Sequence, residues 1–310
     1  MRVAVIGLGS IAQRAYLPVL SALDGIDLVL CSRHSDRLSQ LAARYRIREL
    51  TNHVSDLGSM QLDAAFVHVA TEAHEDIVSL LLRQCIPVYV DKPIAYTLEA
   101  SSRLVDLSES TRTLLMVGFN RRYAPMYRRL ADQPRRRMIL MQKNRRFSPD
   151  TPRHVVFDDF VHVVDTLRFL APGPIRDVRT DGYALEGKLH HVLVQLSGPD
   201  FQLLGSMNRD SGAGEEVLEV MSPNNKWIVR NLTETSHWHA GTECVTRFDD
   251  WESVLHRRGF PQIISQFLDY VTAGYAGPGS ALAQDALQTH ALCEQVVSAL
   301  ERGNVAFTKK

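Results

Sequence analysis

A glycine-rich turn between an apolar run and a helical segment constrains this 310-residue chain more than any other feature. Residues 3–6 predict a buried strand, and the amphipathic residues 11–23 predict a helix. Between them, Gly7-Leu8-Gly9-Ser10-Ile11-Ala12 matches the Gly-x-Gly-x-x-Ala turn of dinucleotide-binding βαβ units. There, the first glycine makes the turn, the second lets the backbone approach a diphosphate, and the small residue permits close packing. The segment predicts dinucleotide binding at Gly7, Gly9, Ser10, Ile11 and Ala12, with an ordinary strand-to-helix turn as the alternative.

The end of the next apolar run bears on which dinucleotide fits. In NAD-binding units the second strand ends in an acidic residue that binds the ribose 2′-hydroxyl. Here residues 26–31 lead instead into Ser32-Arg33-His34. A hydroxyl and a guanidinium bind a 2′-phosphate, which a carboxylate would repel, so Ser32 and Arg33 favour NADP over NAD. The alternative is that Arg33 simply faces water.

Length and charge limit the class of protein. A chain of 310 residues fits about two domains, each with its own core. Its 35 Lys and Arg balance 35 Asp and Glu, and the net charge of +0 indicates neither a nucleic acid nor a membrane surface as partner. We therefore expect a small-molecule substrate.

Two observations bear on the compartment. The chain starts directly with strand-forming residues, and no apolar run approaches the ~20 residues that span a bilayer. The four cysteines, Cys31, Cys85, Cys244 and Cys293, include no Cys-x-x-Cys pair, which is typical of reduced thiols and disfavours a structural zinc site. We expect a cytoplasmic protein.

Up to residue 119, short apolar runs alternate with segments of helical period. This alternation predicts an α/β fold with a doubly wound parallel sheet buried on both faces, a Rossmann domain of residues 1–119. The predicted strands are residues 3–6, 26–31, 63–69, 88–90 and 114–118, and predicted helices begin near residues 11, 36, 73 and 97.

From residue 120 onward, runs with strand composition are separated by turns, which indicates a mainly antiparallel sheet. A helix is predicted over residues 157–170, and two more close the chain over 262–272 and 280–302. The predicted strands are residues 176–183, 191–196, 201–207, 217–221, 227–229 and 244–248. Residues 120–310 are thus predicted to form a second α/β domain.

Asp91-Lys92-Pro93 directly follows the predicted strand of residues 88–90. Ligands of open α/β sheets bind outside the carboxyl ends of the strands, so Lys92 belongs where a cofactor and a substrate would meet. Its ammonium could polarise a carbonyl or stabilise a developing alkoxide. A surface lysine ahead of a helix is the alternative.

A second polar group lies in the predicted helix of residues 157–170. Asp158, His162 and Asp165 are spaced by four and three residues, which aligns them on one helix face. Such a face either meets solvent or lines a site. Histidine both gives and takes a proton near neutrality, as interconversion of an alcohol and a carbonyl requires. A solvated face that carries a histidine by chance is the alternative.

Four motifs occur in the order seen in one enzyme family. They are the glycine turn with Tyr16-Leu17-Pro18, Asp91-Lys92-Pro93, Gly-Phe-Asn-Arg-Arg-Tyr-Ala-Pro at residues 118–125, and Asp158-x-x-x-His162-x-x-Asp165. Over residues 1–170 the chain thereby resembles the Gfo/Idh/MocA oxidoreductases, in particular their MviM-like branch. Beyond residue 171 the similarity is of the fold.

The resemblance implies a second domain whose large open sheet often forms an oligomer interface, and hence a homodimer or homotetramer. It implies that Lys92 is the lysine of the family's Glu-Lys-Pro motif, with a cis bond to Pro93, and that Asp158 and His162 are its catalytic pair. Two departures are Asp91 in place of Glu and Val69-Ala70 in place of Thr-Pro. Together with the earlier positions, the expected cofactor contacts are Thr71, His74, Asp91, Lys92, Pro93 and Asn120.

The resulting hypothesis is an NAD(P)-dependent oxidoreductase acting on CH–OH groups of a sugar, cyclitol or related polyol, the family's usual substrates. His162 exchanges the proton, Lys92 stabilises the alkoxide, and Asp158 binds a substrate hydroxyl or tunes His162. Arg122 in the third motif is the further expected substrate contact. The rival hypothesis, a non-catalytic NADP-binding redox sensor or scaffold, is disfavoured because the catalytic positions are intact.

Ten basic residues and one acidic residue lie between Arg121 and Arg146. They indicate either an anion site, suited to a phosphorylated or nucleotide sugar, or a solvated helix and loop, and we favour the latter. The pair His237 and His239 lacks a nearby third ligand, and acid-base work explains Asp158 and His162 better than a metal does. No metal is expected.

Overall fold

The computed structural model describes residues 1–274 and 279–307, which divide into two compact units. The first unit comprises Met1–Phe119 and Phe260–Gln288, and the second comprises Asn120–Gly259 and the chain from Thr289 onward. Residues 260–288, which the pattern along the chain assigns to the second domain, thus pack with the first.

The first unit contains a parallel sheet in the order β3-β2-β1-β4-β5-β6, six strands within the described residues. The order reverses between β1 and β4, as in a doubly wound fold. The predicted fold class is therefore confirmed. The strand bounds are β1 Arg2–Ile6, β2 Asp27–Cys31, β3 Glu49–Thr51, β4 Ala64–Val67, β5 Val88–Val90 and β6 Leu115–Val117.

Strand β3 was not predicted from the sequence. It has three residues, of which Glu49 and Leu50 are exposed, so it lacks the apolar run that marks the other strands. In contrast, every residue of β4, β5 and β6 is buried. Parallel strands covered on both faces need such continuous apolar runs, which is why those three were predictable.

Helices connect the strands of the first unit. They span Leu17–Leu20, Ser35–Tyr45, His74–Arg83 and Leu98–Thr111, and a π-helical turn, Ala12–Tyr16, precedes the first. Thr97 caps the last of them by accepting a hydrogen bond from the Ala100 backbone N–H at 3.2 Å. The helix Phe260–Thr272 also belongs to this unit.

An aromatic cluster fills the core of the first unit. Phe66 on β4 lies 4.9 Å from the ring of Tyr89 on β5, and Phe267 of the returning helix lies 5.1 Å from Phe66. The ring of Phe260 meets that of Tyr16 edge-on at 5.4 Å. Aromatic pairs at these separations contribute beyond the area they bury. Residues 260–272 therefore belong to the first unit because their aromatic side chains complete its core.

The second unit contains a sheet in the order β14-β13-β12-β11-β7-β10-β9-β8, eight strands within the part of the chain that the structure describes. Its pairings are antiparallel except for β7 with β10. The prediction of a mainly antiparallel sheet is confirmed. The bounds are β7 Met138–Asn144, β8 Asp177–Leu185, β9 Lys188–Ser197, β10 Gln202–Asn208, β11 Glu215–Ser222, β12 Asn225–Arg230, β13 Glu234–His239 and β14 Thr242–Arg247.

Strand β7 corrects the interpretation of residues 121–146 as a solvated helix and loop. It lies between β11 and β10, and Ile139, Met141 and Lys143 are buried on it. The basic residues around it concealed the alternation of Ile139 and Met141, which is the strand signal.

The helices of the second unit span Pro125–Ala131, Pro152–Val155, Val161–Leu170 and Val254–Arg257. A π-helical turn, Val156–Phe160, joins the second to the third, and the last helix of the chain is Gly279–Phe307. Helix Val161–Leu170 packs on β10 at Gly205, where an added Cβ would lie 2.7 Å from Val163 Cγ1. None of the helices in residues 1–274 and 279–307 has the length and apolar character needed to cross a membrane.

Candidate active site

The glycine turn follows β1 and has the geometry that the sequence predicts. Gly7 has φ of +86°, and its backbone N–H donates to the Cys31 carbonyl at 3.0 Å. An added Cβ at Gly7 would lie 2.6 Å from the Val69 nitrogen. Both the positive φ and the close backbone require glycine at this position.

Neither of these constraints requires a glycine at position 9. A Cβ there would approach no described atom more closely than the His68 carbonyl oxygen, at 4.0 Å. Ser10 and Ile11 beyond it are exposed, whereas Ala12 is fully buried at the start of the helical segment. The open space at Gly9 is where a diphosphate would approach the backbone, so these residues fit a dinucleotide.

A cleft of about 260 Å³ in the first unit joins this turn to the end of β2. Ser32 is buried there, and its Oγ accepts a hydrogen bond from the His34 backbone N–H at 3.3 Å. Arg33 and Arg37 are exposed and line the same cleft. Its lining residues, all within the described chain, include no Asp or Glu: Ile6, Gly7, Leu8, Gly9, Cys31, Ser32, Arg33, His34, Arg37, Asn52, Val54, His68, Val69, Ala70 and Ile77.

Lys92 and Pro93 follow β5 and are joined by a cis peptide bond, as the resemblance implies. Asp91 Oδ1 accepts a hydrogen bond from the Lys92 backbone N–H at 2.9 Å, which fixes the start of the loop. Burial raises the pKa of the Asp91 carboxyl, and the charge of Lys92 partly offsets that effect. Lys92 therefore lies at the carboxyl edge of the parallel sheet, as its motif predicts.

His74 holds this loop in place. Its Nδ1 lies 2.9 Å from the Pro93 carbonyl oxygen, and its Nε2 lies 3.2 Å from that of Val69. The side chain is buried, and burial lowers its pKa despite these hydrogen bonds. Thr71 begins the short 3₁₀ turn Thr71–Ala73 ahead of it and is half-buried. His74 thus links the loop after β4 to the loop after β5.

His68 is a polar residue of this region that sequence reasoning missed. It follows β4 and is buried, and neither ring nitrogen has a hydrogen-bond partner among the described residues. Its ring centroid lies 3.8 Å from that of Tyr16, and the two ring planes are tilted by 32°. Burial, reinforced by nearby His74, lowers its pKa to about 3, so the imidazole is neutral. A histidine inside the apolar run of residues 63–69 was the available signal.

In the second unit, Asp158 lies in the π-helical turn Val156–Phe160, and His162 lies in the helix that continues it. Both side chains are half-buried. Asp165, three residues on, is instead buried and accepts hydrogen bonds from Arg122 Nε at 2.9 Å and Thr289 Oγ1 at 2.9 Å. The predicted polar face is therefore divided, because Asp165 points into the unit.

Arg122 and Asn120 make contacts within the second unit. Arg122 pairs with Asp165 through two guanidinium nitrogens, and its side chain is 19% exposed. Asn120 is buried, and its Nδ2 donates to the Arg258 carbonyl at 2.8 Å. The expectation that these two residues contact substrate and cofactor stays a prediction. The same holds for the convergence of Lys92, in the first unit, with Asp158 and His162, in the second.

A buried group of charges in the second unit was also missed. Asp159 accepts hydrogen bonds from Arg145 Nε at 2.6 Å and Arg209 Nη1 at 2.6 Å, and it lies 2.8 Å from Lys143 Nζ. Glu216 accepts from Arg121 at 2.7 Å. These basic residues are therefore tied to carboxylates inside the unit, which the local composition did not indicate.

Ionisation of the group follows from its contacts. Burial opposes the charge on Asp159, but the hydrogen bond from Arg145 and the charge of Lys143 outweigh it and hold its pKa well below the usual range. Burial, together with the charge of Arg121, lowers the pKa of Lys143 to about 7. An opposite charge within hydrogen-bonding distance favours ionisation of a carboxyl, whereas burial disfavours it.

A doubly wound parallel sheet whose first strand leads into a glycine turn and a cleft of this kind defines a dinucleotide-binding protein of the Rossmann class. Residues 1–119 match the model of the oxidoreductase family with an NAD-binding Rossmann fold, and residues 125–240 match that of the YceM-like C-terminal domain. The chain belongs to the Gfo/Idh/MocA oxidoreductase family, with a YceM-like C-terminal domain.

Relatives extend over the whole chain. The protein YceM of Salmonella typhimurium is 32% identical over 311 residues, which cover 99% of each chain. A dehydrogenase (MviM) from Clostridium difficile superposes with a TM-score of 0.90 at 29% identity, over 96% of this chain and 99% of that one. The myo-inositol dehydrogenase Hyg17 of Streptomyces leeuwenhoekii is 32% identical over 196 residues, 60% of each. The resemblance to the MviM-like branch is confirmed.

Proposed function

We propose that the chain is an NADP-dependent oxidoreductase that interconverts an alcohol and a carbonyl on a sugar, cyclitol or related polyol. The cleft in the first unit carries this proposal, because a glycine turn open at Gly9 and the guanidinium groups of Arg33 and Arg37 border it without a carboxylate from the described residues. An arginine at the end of the second strand accommodates a 2′-phosphate, whereas NAD sites use an acidic residue there.

The expected cofactor contacts of the first unit each have a role in this proposal. The backbone at Gly7 and Gly9 and the start of the helical segment hold the diphosphate. Ser32 and Arg33 bind the 2′-phosphate. Thr71 and the Asp91-Lys92-Pro93 loop face the nicotinamide end, and His74 acts by positioning that loop, since its ring nitrogens lie against backbone carbonyls.

A nicotinamide cofactor, when bound, supplies or accepts the hydride. His162 holds the proton that is exchanged with the substrate oxygen, and Lys92 stabilises negative charge on that oxygen. Asp158 accepts a hydrogen bond from a substrate hydroxyl or from His162. In the direction of reduction, the carbonyl carbon gains a hydride and its oxygen gains a proton, so the product is an alcohol.

The name of the Streptomyces leeuwenhoekii relative supports the substrate class, because that protein is a myo-inositol dehydrogenase. Polyols present several hydroxyl groups, and the polar pair Asp158 and His162 suits hydrogen bonding to them.

Self-association belongs to the same proposal. One face of the sheet in the second unit is covered by helix Val161–Leu170, whereas Leu193 on β9 and Leu204 on β10 are exposed. Tyr183 and Leu185 on β8 are exposed as well. Apolar side chains gathered on one sheet face are typical of protein interfaces, which supports a homodimer or homotetramer.

Turnover of NADPH and NADH with a panel of keto-sugars and inososes tests the proposal. We expect oxidation of NADPH by at least one panel member, abolished in both Lys92→Met and His162→Ala. Full activity in both variants would contradict the assigned roles. Absence of turnover, combined with a change of oligomeric state on NADPH binding, would favour a redox sensor.

The cofactor preference has its own test. Arg33→Ala is expected to weaken NADPH binding by about tenfold or more and to leave NADH within about twofold, because only the phosphorylated cofactor uses the guanidinium. Arg48→Ala, an exposed arginine that does not line the cleft, is the control. Equal losses for both cofactors would contradict a 2′-phosphate contact.

A further inference from the structure

The buried charges of the second unit are unevenly balanced. Four cations, Arg121, Lys143, Arg145 and Arg209, contact two carboxylates, Asp159 and Glu216, within the described residues. We call these six residues the arginine cluster. Its formal charge is +2 when every member is ionised and +1 when Lys143, whose pKa is about 7, is neutral. Charge held away from water is costly unless it is paired, so an unbalanced cluster is suited to an additional anion.

Most of the cluster is inaccessible. The side chains of Lys143 and Arg121 are 3% and 6% exposed, and that of Arg209 is 10% exposed. Each guanidinium nitrogen of Arg209 already donates a hydrogen bond, to the Ser148 carbonyl, to Asp159 or to Ser148 Oγ. These three cations contribute charge but cannot meet a ligand directly.

Arg145 is the member of the arginine cluster that reaches the surface. Its side chain is 46% exposed, although Nε and Nη2 donate to the two oxygens of Asp159 at 2.6 and 2.7 Å. Nη1 has no partner among the described residues. Asp159 thus fixes the guanidinium and leaves it able to donate to a further group, with the charge of the cluster behind it.

A second exposed arginine, Arg258, lies close to the cluster. Its backbone carbonyl accepts the hydrogen bond from Asn120, next to Arg121, and Gly259 packs against the backbone of residues 120–124. Burial lowers the pKa of the Arg258 guanidinium, and the charges of Arg121 and Arg145 lower it further, while the charge of Glu216 partly offsets them. Cations that repel one another at a surface are stabilised by a shared anion.

We propose that Arg145 and Arg258 bind an anionic group, a carboxylate or a phosphate, on the substrate of the proposed oxidoreductase. Asp159, which holds Arg145, is the residue after Asp158 in the same π-helical turn. The anionic group is thereby bound beside the part of the chain that carries Asp158 and His162. This inference rests on the proposed function, and it narrows the substrate class to sugar acids or sugar phosphates.

Anion binding can be measured without turnover. We expect inorganic phosphate, titrated calorimetrically into the cofactor-free protein, to bind, and Arg145→Met and Arg258→Met each to weaken the binding by about tenfold or more, since each removes a charged donor. Arg137→Met is the control, because Arg137 is exposed just before β7, whereas Arg145 directly follows it. Arg258→Met keeps the hydrogen bond from Asn120 to the backbone carbonyl of residue 258, so we expect this variant to fold, and a loss of phosphate binding then reflects the missing guanidinium.

Substrates then distinguish the two anions and separate this inference from the proposed function. With NADPH, keto forms of glucuronate, of glucose 6-phosphate and of neutral glucose are compared by kcat/KM. A preference for the carboxylate or for the phosphate over the neutral sugar, lost in Arg258→Met but not in Arg137→Met, supports the subsite and names the group. Phosphate binding without turnover of any sugar supports the subsite and contradicts the oxidoreductase. Equal use of all three sugars with no phosphate binding overturns the subsite alone.

Discussion

The Nδ1 atom of His68 lies 3.9 Å from Oδ2 of Asp91, where the neighbouring strands β4 and β5 end. The His68 side chain is fully buried and packs against the ring of Tyr16, whose hydroxyl is 2.8 Å from that of Tyr89. A polar cluster therefore lies beneath the loop that begins with Lys92. Because no hydrogen bond from the described residues compensates the burial of its ring nitrogens, His68 resists protonation.

His68 makes stability depend on pH in the acid range. Its pKa is about 3 in the folded protein, so below the ordinary value near 6.5 the unfolded chain takes up a proton that the folded chain does not. Stability from this residue is present above pH 6.5 and is lost as the pH falls towards 3. Between pH 7 and 5 the loss is about 2 kcal/mol.

Urea unfolding of the native protein and of His68→Gln at pH 7 and pH 5 measures this contribution. The variant is expected to lose less stability between the two pH values than the native protein does. His53→Gln, at an exposed histidine, is expected to behave as the native protein. A pH dependence that His68→Gln leaves unchanged would show that other groups cause it.

Comparison of alanine substitutions at Gly7 and at Gly25 separates the cost of steric clash from the cost of backbone strain. Gly7→Ala is expected to lower the free energy of unfolding by about 3 kcal/mol, because a positive φ strains alanine and the new methyl meets the Val69 backbone. Gly25→Ala, at φ of +73° with nothing within 4 Å of the added Cβ, should show strain alone, about 1 kcal/mol. Equal effects in chemical denaturation would refute the clash.

Gly9→Ala should affect binding rather than folding. The added Cβ meets no described atom within 3.9 Å, so stability is expected to change by less than about 0.5 kcal/mol. The methyl group fills the space for the diphosphate, and we expect affinity for NADPH to fall by about tenfold or more. Gly212→Ala, with open space around its Cβ, is the calorimetric control. Undiminished NADPH binding by Gly9→Ala would place the diphosphate elsewhere.

Glu216 neutralises a buried arginine. Glu216→Gln removes the negative charge beside Arg121 and leaves one amide oxygen to accept both from Arg121 and from the Tyr127 hydroxyl, which is 3.0 Å away. Breaking one partner of a buried pair costs about 3–5 kcal/mol. Thermal unfolding of Glu75→Gln, which breaks the exposed pair with Arg103, should change little. A Glu216→Gln protein of native stability would mean that the arginine cluster tolerates further positive charge.

Sequence periodicity identified most of the first unit because its central strands are buried on both faces and read as uninterrupted apolar runs. Strand Glu49–Thr51 was not predicted, because two of its three residues are exposed. Strand Met138–Asn144 was missed for the opposite reason, because it carries a buried charged residue, Lys143. A lysine in a basic segment does not indicate that it forms an ion pair with Asp159, sixteen residues further along the chain.

The candidate site divides along similar lines. Gly7 could be predicted from the glycine-turn motif, and the cis bond at Pro93 from the family resemblance, because both depend on local backbone geometry. The partners of Arg122 and Arg145 could not, because long-range pairing of charges depends on the packed sheet and helices. His68 was overlooked because a histidine among apolar neighbours reads as part of the strand.

The aromatic core of the first unit has a consequence for biosynthesis. Phe260 and Phe267 are translated about 140 residues after Phe119 and cover Tyr16, Phe66 and Tyr89. During synthesis, the aromatic side chains of residues 1–119 stay uncovered until residues 120–259, which carry the second sheet, have left the ribosome. Nascent chains of this protein therefore have a long interval in which a chaperone that recognises aromatic surface can engage them.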